Sequence, residues 1–168
     1  MINFYKKACP QYLKPSFYRR GITAIEILLV VGIIGILSLI VFPQFSKIKE
    51  NQVLKNTVEN VVSTLHNAQS KSLASLDSSE YGVYFQSDQI IVFKGTSFIP
   101  DTVGNEVMNI VTPATISNVT LNSVSDISGE IYFNRLSGSP SKTGTITIST
   151  SSFSKIITIY STGAVSVD

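Results

Sequence analysis

The sequence is poor in the residues that build zinc sites, disulfides and cysteine-based catalytic sites. It has one cysteine, one histidine and no tryptophan in 168 residues. Zinc sites need several Cys or His ligands, and Cys–His catalysis needs a paired base, so both are disfavoured. A scaffold built on disulfides is excluded, since it needs at least two cysteines. No Walker loop, dinucleotide-binding glycine pattern or G-x-S-x-G elbow is present. We therefore predict no catalytic residue, no metal and no cofactor.

Charged residues are also scarce, and they are unevenly placed. They make up 14% of the chain, against about 25% in an average soluble domain. Residues 1–21 hold five of the thirteen basic residues and none of the eleven acidic ones, which leaves residues 22–168 with a net charge of −3. That balance argues against a nucleic-acid partner. The apolar composition argues against an intrinsically disordered chain.

The longest apolar run covers residues 22–42 and contains a single charge, Glu26. As a helix it would span roughly 32 Å, close to the roughly 30 Å hydrocarbon core of a bilayer. It is longer than the apolar part of a removable secretory signal, and no A-x-A-like site follows it. Because the basic residues lie upstream, we expect a single-pass membrane protein with a cytoplasmic N-terminus and an exterior C-terminal part.

The helical pattern continues beyond the apolar run. Residues 44–77 predict the amphipathic half of the same helix, and Pro43 predicts a bend between the two halves. One apolar stripe recurs at steps of three and four, which is typical of a helix packed on a folded domain. Its members are Leu54, Val58, Val61, Val62, Leu65, Ala68, Leu73 and Leu76.

Residues 78–168 are rich in Ser and Thr and change to a period of two, which predicts strands. The segments 81–85 and 89–94 flank a short polar turn and predict a hairpin. Further strands are predicted at 107–111, 116–124, 130–134, 144–150, 155–161 and 164–167. We therefore predict an α+β fold, with one long N-terminal helix packed on a C-terminal antiparallel β-sheet.

Glu26 has two interpretations. A carboxylate inside a membrane helix costs a few kcal/mol, less near the interface than at the centre. It can be a boundary residue that reaches the headgroups, or it can be paired with a cation at the same depth. Cleavage after Gly21 would create such a cation, the α-amino group of Ile22. Pairing of Glu26 in one helix with this amine in the next would then set the axial register of packed helices.

The stretch Gly21-Ile22-Thr23-Ala24-Ile25-Glu26, followed by an apolar run with Pro43 twenty-one residues beyond Ile22, resembles the processing segment of type IV prepilins and pseudopilins. The resemblance implies that a prepilin peptidase/N-methyltransferase removes residues 1–21 by cutting between Gly21 and Ile22, and that it methylates the amine of Ile22. It implies a pilin-like fold in which residues 22–43 form the transmembrane and assembly helix.

The resemblance also implies the partners: other pilin or pseudopilin subunits, an inner-membrane assembly platform, and membrane lipid before assembly into a filament. The chain departs from the family's usual pattern in three ways. Ile22 stands where Phe or Met is usual, the leader of 21 residues is long, and residues 22–168 contain no cysteine to close a C-terminal loop. The last departure favours a minor pilin or pseudopilin.

A second resemblance concerns the β domain. Three segments, 81–85, 133–138 and 157–163, are similar to the H-type minor pseudopilins of type II secretion. The alternative function is an uncleaved type II membrane protein whose exterior β domain acts as an adhesin or binding module. That alternative predicts a chain that keeps its leader and stays monomeric.

Overall fold

The computed structural model describes residues 21–168. The predicted leader, residues 1–21, lies outside the described residues except for Gly21. The chain divides into two units, the first ending at Ile40 and the second covering Val41–Asp168. Helix α1 (Ala24–Leu73) has 50 residues, belongs to both units and continues through Pro43. The bend expected at Pro43 stays a prediction.

Helix α1 ends at Leu73, four residues before the predicted end. Ser75 adopts a left-handed backbone conformation, with φ of 52°, and its N–H donates to Ser72 O at 3.0 Å. Left-handed residues close helix C-termini because they turn the chain away from the helix axis. A single 3₁₀ turn (Leu76–Ser78) then leads to the first strand.

Nine strands follow within the described part of the chain, and all their pairings are antiparallel. They are β1 (Tyr81–Phe85), β2 (Gln89–Lys94), β3 (Glu106–Asn109), β4 (Thr115–Leu121), β5 (Val124–Asp126), β6 (Gly129–Phe133), β7 (Gly144–Ser149), β8 (Ser154–Ile159) and β9 (Val165–Val167). The predicted hairpin is confirmed with its bounds. The predicted strand 116–124 is two strands, β4 and β5, because Asn122 and Ser123 both have positive φ and form a two-residue hairpin turn.

The strands form two sheets, where the sequence predicted one. Their orders are β3-β2-β1-β6 and β5-β4-β7-β8-β9. The first sheet ends at β6 because the next segment closes its outer edge: Ser141 N donates to Tyr132 O at 2.8 Å, and Pro140 bridges Phe133. Proline has no N–H to donate, so it is typical of sheet edges.

The apolar stripe of α1 forms a single core with both sheets. Five of its predicted members are buried, with at most 5% of each side chain exposed: Leu54, Val58, Val61, Leu65 and Ala68. Side chains from the two sheets, such as Phe85 and Ile146, belong to the same cluster. The antiparallel sheets and the second half of α1 are therefore one folded body, in keeping with the α+β prediction.

The prediction was wrong for the last two members of the stripe. Leu73 and Leu76 are 44% and 46% exposed, whereas Ser72 is fully buried. A period of 3.6 places residue 72, not 73, above residue 68. The Ser72 hydroxyl accepts a bond from Tyr81 N at 2.8 Å, so a polar side chain occupies the last core position and fixes the start of β1.

Candidate functional site

The predicted cleavage junction precedes the helix. Gly21, Ile22 and Thr23 are exposed and belong to neither helix nor strand. Ile22 is 73% exposed, and a Cβ built on Gly21 would meet no atom within 4 Å. A peptidase must bind its substrate in an extended form, which a hydrogen-bonded helix does not offer. The Gly21–Ile22 peptide bond therefore lies outside the helix, between two exposed residues.

Thr23 caps the N-terminus of helix α1, a role that was not identified from the sequence. Its hydroxyl accepts a bond from Glu26 N at 3.3 Å, and its carbonyl accepts bonds from Glu26 N at 3.1 Å and Ile27 N at 3.2 Å. This is the N-cap position, where a hydroxyl satisfies one of the free N–H groups of the first turn. The signal is present in the sequence, since Thr-x-x-Glu is the capping-box pattern.

Glu26 is the third residue of α1 and lies in its first turn. A negative charge there is favoured by the positive end of the helix dipole, by about 0.3–1 kcal/mol when exposed. The helix dipole therefore stabilises Glu26 within a single helix, independently of its predicted role in helix assembly. Within residues 21–168, no salt bridge involves it.

The side chains that follow Glu26 are apolar and unburied. Every large apolar residue from Ile22 to Phe42 is between 47% and 77% exposed. Helix α1 contains a window of 18 residues with mean hydropathy 2.9, none of it buried, and is long and apolar enough to cross a membrane. The Ser38 hydroxyl donates to Ile34 O at 2.8 Å, so it needs no water. This surface is available to lipid or to another helix.

Two segments singled out in the β domain meet at one side chain of α1. Gln69 Nε2 donates to Gly138 O at 3.0 Å and to Gly163 O at 3.3 Å. Both glycines have positive φ, and a Cβ on Gly163 would lie 2.2 Å from Gln69 Nε2. The turns that end segments 133–138 and 157–163 are thus tied together through the helix, which is a structural role.

Shifted pKa values occur where the helix joins the sheet. Hydrogen bonds from Lys94 and Tyr81, with the charge of Lys94, lower the pKa of Asp77. Burial, and then the bond to Asp77, raise the pKa of Tyr81. The Asp77–Lys94 pair is 3.2 Å long and exposed, so its contribution to stability is small. The group closes a turn, and it offers no nucleophile with a base.

Among residues 21–168, no three His, Cys, Asp or Glu side chains lie close enough to hold a metal ion. His66 lies exposed on α1.

No family model matches this chain, and neither a curated protein nor a solved structure is significantly similar to it.

Proposed function

We propose that this chain is a pilin-like structural subunit, a minor pilin or pseudopilin of a type IV pilus or a type II secretion pseudopilus. One observation carries the proposal. An exposed, non-helical Gly21–Ile22 junction immediately precedes an unburied apolar helix whose first turn contains a lone carboxylate, Glu26. Cleavage at this junction would place a new amine and that carboxylate at the same end of the helix.

The proposed sequence of events starts in the cytoplasmic membrane. The basic leader stays in the cytoplasm and the β domain lies outside. A prepilin peptidase cuts between Gly21 and Ile22, and methylation of the Ile22 amine keeps its positive charge. The assembly platform then transfers the helix from lipid to a filament, where apolar side chains such as Leu28 pack against neighbouring subunits. The chain itself catalyses no step.

Glu26 determines the register in this proposal. When one helix is displaced along another, the carboxylate of Glu26 reaches the Ile22 amine of the neighbouring copy. Both charges are then away from water, where an unpaired carboxylate is costly. Other displacements leave the two charges unpaired, so one axial arrangement is favoured.

The second candidate is an uncleaved membrane-anchored exterior β domain that acts as an adhesin or binding module. The capping geometry favours it, because the Thr23 cap and the helix dipole give Glu26 a role in a lone helix. No second copy is needed for that role.

Intact-mass measurement of the chain isolated from native membranes separates the two. The subunit proposal predicts a chain that starts at Ile22, with or without one added methyl group. A chain that retains residues 1–21 in cells containing a prepilin peptidase would reject the proposal and support the uncleaved anchor.

A further inference from the structure

Strand β3 leaves part of its backbone unpaired at the edge of the first sheet. Ile110 N donates to Asp88 O at 2.8 Å, and the register continues with the pairs Ile90–Met108 and Val92–Glu106. Along an antiparallel ladder, hydrogen-bonded and non-hydrogen-bonded residue pairs alternate. The N–H and C=O groups of these even-numbered residues of β3 therefore point towards β2, and those of the residues between them point outward. Those residues are Val107 and Asn109. Within residues 21–168, no loop or turn forms a backbone bond to either.

The opposite edge of the same sheet, strand β6, is covered. Residues 139–141 cover β6 with backbone bonds and with Pro140. Strand β3 has no proline, and Lys71 neutralises its charged residue, Glu106, at 2.6 Å. Natural proteins block their free edges with proline, charge or covering loops. Strand β3 is short, with four residues, but its outward N–H and C=O groups are free to pair with another strand.

A large recess lies on the outer face of the sheet beside β3. It has a volume of about 540 Å³, and Ile91, Phe98 and Val107 form its apolar wall. Phe98 is held in place by stacking on Tyr84, with ring centroids 4.3 Å apart. Val103, in the loop over this recess, is fully exposed. An apolar side chain of moderate size fits such a space.

A smaller recess lies on the other face, between β3 and helix α1. It has a volume of about 180 Å³. Its lining combines apolar side chains such as Val53 and Met108 with three asparagines, Asn56, Asn60 and Asn109. Side chains of an added strand point alternately to the two faces of the sheet. Consecutive residues beside β3 would therefore enter the two recesses in turn.

The charges near this edge are acidic. Asp88 and Asp101 are exposed, and neither forms a salt bridge within residues 21–168. Lys71, which contacts Glu106 of β3, is already neutralised by that pair. A bound segment with lysine or arginine at its ends would therefore be favoured over an acidic one.

From this geometry we infer that the free edge of β3 binds an extended segment of another polypeptide as an added strand. Main-chain bonds to Val107 and Asn109 supply affinity. The two recesses select apolar side chains at successive positions, and Asp88 and Asp101 select flanking basic residues. The inference goes beyond the proposed subunit function and does not depend on cleavage at Gly21.

The test uses the full chain in detergent micelles and a displayed library of random linear peptides of twelve residues. Selected peptides are expected to be uncharged at their centre, to be rich in β-branched and aromatic residues there, and to carry more Lys and Arg than Asp and Glu. Selected peptides are then synthesised, and their affinities are measured by fluorescence anisotropy. The amides of Val107 and Asn109 should exchange with deuterium more slowly when a peptide is bound.

The decisive variant is Val107→Pro, because it removes an outward N–H and costs the sheet no ladder bond. It should weaken peptide binding by at least about tenfold, since one main-chain bond is lost and the ring obstructs the added strand. The matched control, Val107→Thr, keeps the N–H and the β-branched shape and should change affinity by less than about fourfold. Circular dichroism checks the fold, and Asn109→Pro provides a second edge variant.

Equal affinity for wild type and a folded Val107→Pro chain would overturn the inference, as would selected peptides that protect neither amide. A library that yields no binder would also overturn it. Self-association that is lost in Val107→Pro would assign the edge to a second copy of this chain and reject a separate partner.

Discussion

Replacing Glu26 by alanine is expected to lower filament incorporation by at least about 100-fold while leaving cleavage after Gly21 intact. The magnitude follows from the cost of stranding one partner of a buried ion pair, about 3–5 kcal/mol. In the variant, the Ile22 amine of the neighbouring copy would enter the apolar contact unpaired. The measurement is the ratio of chain in the sheared filament fraction to chain in membranes, in source cells that lack their own copy of the gene.

Two control variants separate the charge of Glu26 from its place in the helix cap. Glu26→Gln keeps a residue that suits the third position of a capping box but has no charge, so it should fail as Glu26→Ala does. Thr23→Ala removes the hydroxyl that accepts from Glu26 N, at a cost of about 1 kcal/mol of helix stability, and should still be incorporated. Normal incorporation of Glu26→Gln would contradict the register mechanism.

Replacing Gly21 by valine should cause the uncut precursor to accumulate. We expect the peptidase pocket that receives Gly21 to exclude a branched side chain, since a single additional methylene already changes specificity by about 10–200-fold. We therefore expect cleavage to slow by at least about 100-fold. Immunoblots that separate the precursor from the shorter product measure the effect.

The folded structure should not respond to this change, because a Cβ on Gly21 meets no atom within 4 Å. Gly32→Ala is the control: Gly32 is equally open but lies within helix α1, away from the junction, so this variant should be cleaved after Gly21 at the wild-type rate. Unchanged processing of Gly21→Val would show that cleavage, if it occurs, takes place elsewhere.

Local sequence patterns were sufficient to predict the structure where contacts between neighbouring segments determine it. The β1–β2 hairpin was predicted with its bounds because two period-two segments flank a short polar turn, and neighbouring strands of this kind pair directly. The stripe of α1 was correct from Leu54 to Ala68 for a similar reason, since its residues follow one helical period.

The prediction errors arose where contacts with other segments of the chain determine the structure. The helical period places Ser72 in the core, but an apolar pattern passes over a serine, whose buried hydroxyl is satisfied by Tyr81 N. The second sheet was missed because β6 pairs with β1 while β4 pairs with β7, and these registers join segments far apart in the chain. Pro140 was a readable sign that an edge would form near β6.

At the candidate site, the sequence predicts a cleavage junction, which stays a prediction, and the helix cap was missed. Thr23 lies three residues before Glu26 in a capping-box pattern, which was readable without coordinates. The roles of Gly21, Ile22 and Glu26 stay predictions, since each depends on a second molecule: a peptidase, a methyl donor or a neighbouring helix. One chain contains only half of such a contact.

Cross-linking with a lipid-soluble carbodiimide tests the contact between Glu26 and the Ile22 amine most directly. The reagent activates a membrane-buried carboxylate, and an amine in contact with it forms an amide without added atoms. Two copies are co-expressed, one with Ser38→Thr as a mass tag, because a threonine hydroxyl can make the same bond to Ile34 O. We predict mixed peptide pairs joined between the Ile22 amine of one copy and Glu26 of the other. Glu26 modified by the reagent in filaments, with no joined mixed pair, would contradict the account.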